Sequence, residues 1–263
     1  MASALTFAVV VISSLAADWV ATPDGQLGLS YGVATSSLYA QRHRHRFVAV
    51  THPAAGPEAA GKRLEWARNR AIQQLFRDDG SESGDELACQ VDYAFWLEAD
   101  VWITNLTVPL DDLVAAAAAA RGDGAAPELI VNRDAAGNLN TGTGLIRCSA
   151  AGLRMLERMD EIRYSHADDR KLLMWGANGA AMVMHHETQY AKDMTFVPAK
   201  LLNAYPLPNM AACAGEACGD VYWSPGDFVV HFAGHVPKAP SYRRFLELYP
   251  PASWPGYDTT VVH

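Results

Sequence analysis

The feature that most limits how this chain can fold is the run Phe95-Trp96-Leu97-Glu98-Ala99-Asp100, which follows Asp92-Tyr93-Ala94. A stretch of aromatic and aliphatic residues, as long as a strand, ends abruptly in two carboxylates spaced i, i+2. Side chains two apart on a strand share a face. Glu98 and Asp100 are therefore expected to converge where a buried strand surfaces. Two close carboxylates shielded from water repel one another at a cost of several kcal/mol unless a cation or proton lies between them. In open α/β sheets, ligands gather at the carboxyl ends of the strands. The pattern points to a divalent metal holding a phosphate-bearing substrate; an acidic pair that simply begins a solvated loop is the plainer alternative.

Around this run, strand-like and helix-like segments alternate. Residues 6–12 are rich in β-branched side chains and read as a first buried strand. A Gly/Asp/Pro turn region follows, then a short helix over 36–44 and a second strand over 46–51. Over 62–76, Leu64, Ala67, Ala71, Ile72, Leu75 and Phe76 recur at helical spacing, accompanied by Arg63, Arg68, Arg70 and Arg77. Residues 78–86 are polar and predict a surface loop. Pro109 opens an alanine-rich helix with Asp111 and Asp112 in its first turn, where the helix dipole favours acids. Residues 128–131 predict a strand, and 138–146 a glycine-containing turn entering another. Helices are expected over 150–162 and 168–175, a late buried strand over 228–232 and a closing helix over 241–248. This order implies a single α/β domain with a mostly parallel sheet flanked by helices on both faces.

The totals narrow the function. Half of the 263 residues are hydrophobic and 19% are charged, enough for a substantial core. A net charge of -8 argues against a nucleic-acid partner, which requires a basic footprint. Cys213 and Cys218 flank a short loop and are placed either to bridge in an oxidising compartment or to stay reduced. Their spacing does not suit zinc, and Cys89 and Cys148 stand apart. Asn105-Leu106-Thr107 is a glycosylation sequon, relevant in a lumenal protein. The apolar stretch 4–17 is shorter than the roughly 20 residues of a membrane span, and no basic residue precedes it. It reads as a strand, with a signal peptide left open and no transmembrane segment expected.

Three further groups bear on chemistry. His231 lies in Phe228-Val229-Val230-His231-Phe232, and a histidine in such a run usually serves as a hydrogen-bonded core residue. Joined to Glu98 and Asp100, it completes a mixed carboxylate–imidazole set suited to Mn²⁺, with positions left for pyrophosphate oxygens. His185 and His186 read as surface or packing residues. Asn140, Thr141 and Gly142 offer an amide and accessible backbone beside a cleft, or else an ordinary turn. Asp168 and Asp169 sit where a helix begins, so capping accounts for at least one of them. Arg68 is either a phosphate partner or a solvent-facing helical arginine.

Several segments, collinear over most of the chain, carry a resemblance. They are Leu38-Tyr39-Ala40-Gln41-Arg42-His43, Trp66-Ala67-Arg68, the run from Phe95 to Asp100, Asn140-Thr141-Gly142 with Leu145-Ile146-Arg147, and Asp168-Asp169. Leu202-Asn203-Ala204-Tyr205-Pro206 and Gly226-Asp227-Phe228-Val229-Val230-His231-Phe232-Ala233-Gly234 complete the series. Together they resemble glycosyltransferase family 34, the galactosyl/xylosyl/mannosyl-type transferases of GT-A fold. The resemblance implies a GT-A-type, Rossmann-like single domain, with a nucleotide-sugar half over about 1–135 and an acceptor half over about 136–250. It implies transfer, with retention, of a hexose or pentose from a nucleotide diphosphate sugar, UDP-linked by expectation, to a glycan hydroxyl. Glu98, Asp100 and His231 would hold Mn²⁺, Asp168 and Asp169 would act in catalysis, and Arg68, Asn140, Gly142, Gly234 and Lys238 would bind the donor. A Golgi or secretory-lumen location is implied as well. The chain departs from the family pattern at Glu98, where aspartate is expected, at Arg170, and at His235, with Lys238 displaced. These departures motivate the alternative of an inactive nucleotide- or glycan-binding member of the same fold. A metal-dependent phosphohydrolase is a third reading.

Overall fold

A computed structural model of the chain describes residues 5–12, 23–50, 65–77, 87–165, 176–206, 220–234 and 238–257. Its first strand, β1 (Phe7–Ile12), is buried along its whole length. A strand covered on both faces must be apolar at every position, and Phe-Ala-Val-Val-Val-Ile meets that demand. Its alternate side chains divide between two cores. Ala8 and Val10 pack with Trp66, Ile72, Leu75 and Phe76, while Phe7, Val9 and Val11 pack with Tyr39, Leu113 and Val114. Each fully buried Val, Leu or Phe contributes roughly 1.5–3 kcal/mol of transfer free energy.

The other elements follow in chain order: α1 (Pro23–His43), β2 (Arg46–Val50), α2 (Glu65–Arg77), β3 (Tyr93–Glu98), β4 (Val101–Ile103), α3 (Leu110–Arg121), β5 (Leu129–Arg133) and β6 (Leu139–Arg147). Next come α4 (Ala150–Ser165), α5 (Ala177–His185), α6 (Thr188–Ala191), β7 (Met194–Val197), α7 (Ala199–Leu202), β8 (Val229–His231) and α8 (Lys238–Leu248). Six strands form the main sheet in the order β2-β1-β3-β6-β5-β7. β1 runs parallel to β2 and β3, β6 runs antiparallel to β3 and β5, and β7 is parallel to β5. β6 alone therefore runs against the rest, and the sheet is mostly parallel, as the alternation predicts. α2, α4 and α5 line one core; α1 and α3 line the other.

Three expectations need correction. Residues 23–35 are not a turn region but the first half of α1, a helix of 21 residues. The glycines there serve close approach: a β-carbon at Gly32 would lie 2.2 Å from the Ala99 carbonyl oxygen, and one at Gly28 2.5 Å from the Tyr242 ring. α1 thus lies directly on the turn between β3 and β4. Asn140 to Gly144 are not a turn either; they belong to β6, at a break in its register with β5. The late strand stands outside the main sheet. β8 pairs antiparallel with β4, over an aromatic cluster of Trp102, Trp223, Phe232, Tyr242, Phe245 and Trp254.

A disulfide joins Cys89 and Cys148, 59 residues apart, with Cα atoms 5.7 Å from each other. Antiparallel pairing brings them together, since Tyr93 opposes Arg147 and the chain just beyond each end meets. Cys213 and Cys218, the pair suggested by spacing, lie outside the described residues, as do the expected helix over 168–175 and loop over 78–86.

Candidate metal site at the carboxyl edge of the sheet

β3 is apolar through Leu97 and stops at Glu98. Asp100 is therefore not a strand neighbour of Glu98; it lies in the two-residue turn between β3 and β4, beneath α1. The turn, not strand alternation, makes the two carboxylates converge. The next residue, Val101, opposes His231 across the β4–β8 pair, and the Phe232 amide donates to the Asp100 carbonyl at 3.0 Å. Asp100 is thereby folded back beside the imidazole.

His231 Nε2 lies 3.6 Å from Glu98 Oε2 and 3.6 Å from Asp100 Oδ1. One ligand atom from each residue falls within 4.8 Å of the other two. His231 is 1% exposed and Asp100 4%, while Glu98 is partly exposed and marks the side open to solvent. Burial alone would lower the His231 pKa, but the adjacent carboxylates, Asp100 foremost and then Glu98, outweigh it and raise it to about 9. The cluster favours positive charge at its centre. Nε2 makes no hydrogen bond among the described residues. A cation bound about 2.0–2.2 Å from each of two ligands sets those ligands roughly 3–3.5 Å apart, close to the observed spacing. Oxygen-plus-imidazole donors suit Mn²⁺ and similar divalent ions. The residues fit a metal.

β6 closes one side of the site. Leu97 opposes Thr143, so Gly142 is level with Glu98. A β-carbon at Gly142 would sit 2.3 Å from His231 Cε1, so its bare backbone makes room for the imidazole. Asn140 Oδ1 accepts from the Gly142 amide at 2.8 Å, turning this stretch of strand. Arg68 is 1% exposed and does not face solvent. Its guanidinium donates to the Thr141 carbonyl at 2.6 Å and lies over the Trp96 ring, whose Nε1 donates to the same carbonyl at 2.8 Å. Arg68 therefore braces the residue that precedes Gly142. Gly234 occupies an exposed turn at φ 68°, a conformation open to glycine. Lys238 opens α8. Asp168 and Asp169 lie outside the described residues. His185 packs edge-on against Phe196, in line with a packing role.

Two amides were not singled out by pattern. Asn178, at the start of α5, accepts from both the amide and the hydroxyl of Thr141 at 2.6 Å. Asn203, just after α7, hydrogen-bonds His231 Nδ1. Asn203 falls in the segment Leu202 to Pro206 that carries part of the family resemblance; nothing in that segment alone says which group the amide meets.

The family model of galactosyl transferases of the GMA12/MNN10 type matches residues 32–241. No curated protein sequence matches the chain. Among solved structures, the chain is similar to a glycosyltransferase involved in the glycosylation of the major capsid of PBCV-1, at 12% identity over 91% of this chain and 98% of that one, with a TM-score of 0.58. It is also similar to the galactosyltransferase LgtC in complex with donor and acceptor sugar analogs, at 14% identity over 97% of this chain and 98% of that one, with a TM-score of 0.51. At such identities the likeness is one of fold, and the fold is of the GT-A glycosyltransferase type.

Proposed function

The chain belongs to the galactosyl transferase GMA12/MNN10 family, and from that premise we propose that it is a metal-dependent retaining glycosyltransferase that moves a hexose or pentose from a nucleotide diphosphate sugar to a glycan hydroxyl. The observation that carries this reading is the meeting of Glu98, Asp100 and His231, with Nε2 3.6 Å from each carboxylate, at the carboxyl edge of a GT-A-type sheet. These three side chains would hold the divalent ion, Mn²⁺ by donor chemistry. When bound, the ion supplies positive charge against the diphosphate of the departing nucleotide.

The chain's own groups account for positioning. The backbone at Gly142 lies level with Glu98, with Asn140 two residues further along β6, and together they offer the polar surface against which a donor sugar would settle. Arg68 acts from behind, holding the Thr141 carbonyl. Gly234 and Lys238 follow β8 and come next to the diphosphate in the family reading, with UDP as the expected nucleotide. Asp168 and Asp169 are assigned, through the family, to sugar hydroxyls and to positive charge developing at the anomeric carbon.

The secretory lumen, including the Golgi, is the proposed place of action. The Cys89–Cys148 bridge is of a kind that persists in oxidising compartments, and the sequon residue Asn105 lies in a turn at the end of β4, where its amide meets the Gly226 carbonyl. No helix among the described residues is long and apolar enough to cross a membrane.

The test is a donor panel of UDP- and GDP-sugars with the full chain, Mn²⁺ and candidate glycans, read by product linkage and anomeric configuration. Turnover of one donor, abolished by chelation and restored by Mn²⁺, with the anomeric configuration kept, is the expected result. Turnover indifferent to chelation would remove the metal, and an inverted product would remove the retaining chemistry.

A further inference from the structure

We infer that Asn203 is a positioning residue that fixes which ring nitrogen of His231 faces Glu98 and Asp100. The inference rests on the metal reading given above and adds to it the residue that makes the imidazole a ligand. Asn203 is fully buried, and its Oδ1 is hydrogen-bonded to His231 Nδ1. An amide oxygen can only accept, so Nδ1 carries the hydrogen. In the neutral ring, Nε2 is then left with its lone pair directed at the two carboxylates. Three acceptors face one another, and no donor among the described residues serves Nε2. That arrangement is completed by a cation or, without one, by a second ring proton on Nε2 shared with the carboxylates.

The reverse orientation has the opposite consequence. With the amide turned over, Nδ2 would donate to Nδ1, and the ring hydrogen would move to Nε2. A donor would then point at Glu98 and Asp100, occupying the position a metal needs. One amide thus separates a metal site from a closed hydrogen-bonded cluster. At the far end of the amide, Asn203 Nδ2 lies 3.4 Å from the Tyr205 hydroxyl.

The backbone around Asn203 is fixed by three elements. The His231 amide donates to the Ala204 carbonyl at 2.8 Å, and Ala204 bridges Val230 in parallel fashion, which lays this segment along β8. The Thr143 hydroxyl donates to the Leu202 carbonyl at 2.5 Å, tying the same segment to β6. The amide therefore has little freedom to rotate away, and the ring has no room to follow, because Gly142 lies against its other edge.

The test measures Mn²⁺ affinity of the purified full chain by electron paramagnetic resonance titration, which does not depend on sugar transfer. Asn203→Leu keeps the side chain's size and removes the acceptor; Asn203→Asp keeps an acceptor oxygen. Outer-shell partners of metal-binding histidines typically change affinity about 10–100-fold. The expected result is a loss of that size in Asn203→Leu and near wild-type affinity in Asn203→Asp. A purely structural amide would instead lower the melting temperature in both variants and leave the affinity of the folded protein unchanged. Nitrogen-15 spectra of the Mg²⁺-loaded wild-type chain supply a second readout, with His231 expected to be protonated at Nδ1. Undiminished binding in Asn203→Leu, or a proton on Nε2 in the loaded wild type, overturns the inference. If Asn203→Leu fails to fold, that spectrum decides alone. A wild-type chain that binds no divalent ion overturns the metal reading as well, whereas Asn203-dependent binding without any sugar transfer overturns only the proposed function.

Discussion

At the amino end of the β3–β6 pair, the Asp92 carboxylate accepts hydrogen bonds from the Thr6 amide at 2.7 Å and the Thr6 hydroxyl at 2.8 Å. The Cys148 amide donates to the Asp92 carbonyl, and the Cys89–Cys148 bridge clasps both chains. At the carboxyl end of the same two strands, Glu98 and Asp100 face an imidazole nitrogen at 3.6 Å, and a glycine stands where a side chain would fill the gap. The carboxylate at one end is answered by donors within the chain; those at the other converge on a point suited to a cation. Two ends of one strand pair, about 20 Å apart by the rise of six residues, divide stability from function. A fold that anchors its strands at one edge can hold two carboxylates close together beside an imidazole at the other.

The sharpest way to break this division is to remove a group from each end and compare. Asp100→Ala and His231→Ala are expected to lower Mn²⁺-stimulated transfer by more than about 100-fold, beyond the range of outer-shell partners. In chelator Asp100→Ala should unfold near the wild-type denaturant midpoint and His231→Ala somewhat below it, because the buried Asn203 amide loses its partner; in neither should Mn²⁺ raise the melting temperature. Cys89→Ala with Cys148→Ala is expected to do the reverse. The loop closed spans 59 residues, and opening one of that length costs about 4 kcal/mol in the chain-entropy model, with measured values commonly 2–5. Urea denaturation with and without reductant reads that loss, while Mn²⁺ affinity of the folded variant should hold. A bridge variant that loses metal affinity in proportion to stability would show that the two ends are coupled.

A subtler change tests the carboxyl edge alone. In Gly142→Ala the new β-carbon would fall 2.3 Å from His231 Cε1 and 3.0 Å from Nε2. The ring is pinned on its other side by Asn203, so it must shift by a few tenths of an ångström or more. A misplacement approaching 1 Å at a reacting centre costs about 100-fold in rate. The expected outcome is weaker Mn²⁺ binding and slower transfer, with a melting temperature in chelator lowered by an overpacking cost of about 1–3 kcal/mol. Wild-type affinity in this variant would mean that the site has slack the distances do not show.

How much of this was legible in the sequence depends on what each residue does. β1 and β3 could be read because a strand buried on both faces has to be apolar throughout, and Phe95 to Leu97 ending in Glu98 marks where that cover stops. His231 could be joined to Glu98 and Asp100 through its run and the family pattern, although the geometry rests on a turn rather than on strand alternation. α1 could not be read across 23–35, since a glycine that supplies a positive φ and one that supplies space look identical; Gly28 and Gly32 supply space. The cysteine bridge that the structure describes was hidden for a related reason. Cys213 and Cys218 are near in sequence, whereas Cys89 and Cys148 are made neighbours only by β6 running back along β3. Asn203 was quoted without a role because its meaning lies in the ring it touches, 28 residues further along.

The smallest effect concerns a second histidine at the stabilising edge. His45 follows α1 and precedes β2; its ring lies 5.0 Å from Phe7 and 5.9 Å from Tyr39. Its Nε2 is buried without a hydrogen bond among the described residues. Burial first and then neighbouring His43 depress its pKa from 6.5 to about 4, against an opposing pull from Asp111. The unfolded chain therefore binds the proton before the folded one does. Stability should be fully present above pH 6.5, fall as the pH drops from 6.5 towards 4, and level off below that. For a half-buried ring partly screened by water, the loss at pH 5 should be about 1 kcal/mol. His45→Phe keeps an aromatic ring against Phe7 and Tyr39 but cannot take up a proton. Urea melts at pH 7 and pH 5 should show the wild type losing this increment and the variant keeping it, with Mn²⁺ affinity at pH 7 the same in both. Equal losses in the two proteins would place the acid sensitivity elsewhere, and a change in metal affinity would show that His45, at the amino edge, reaches the carboxyl edge through β1 and β3.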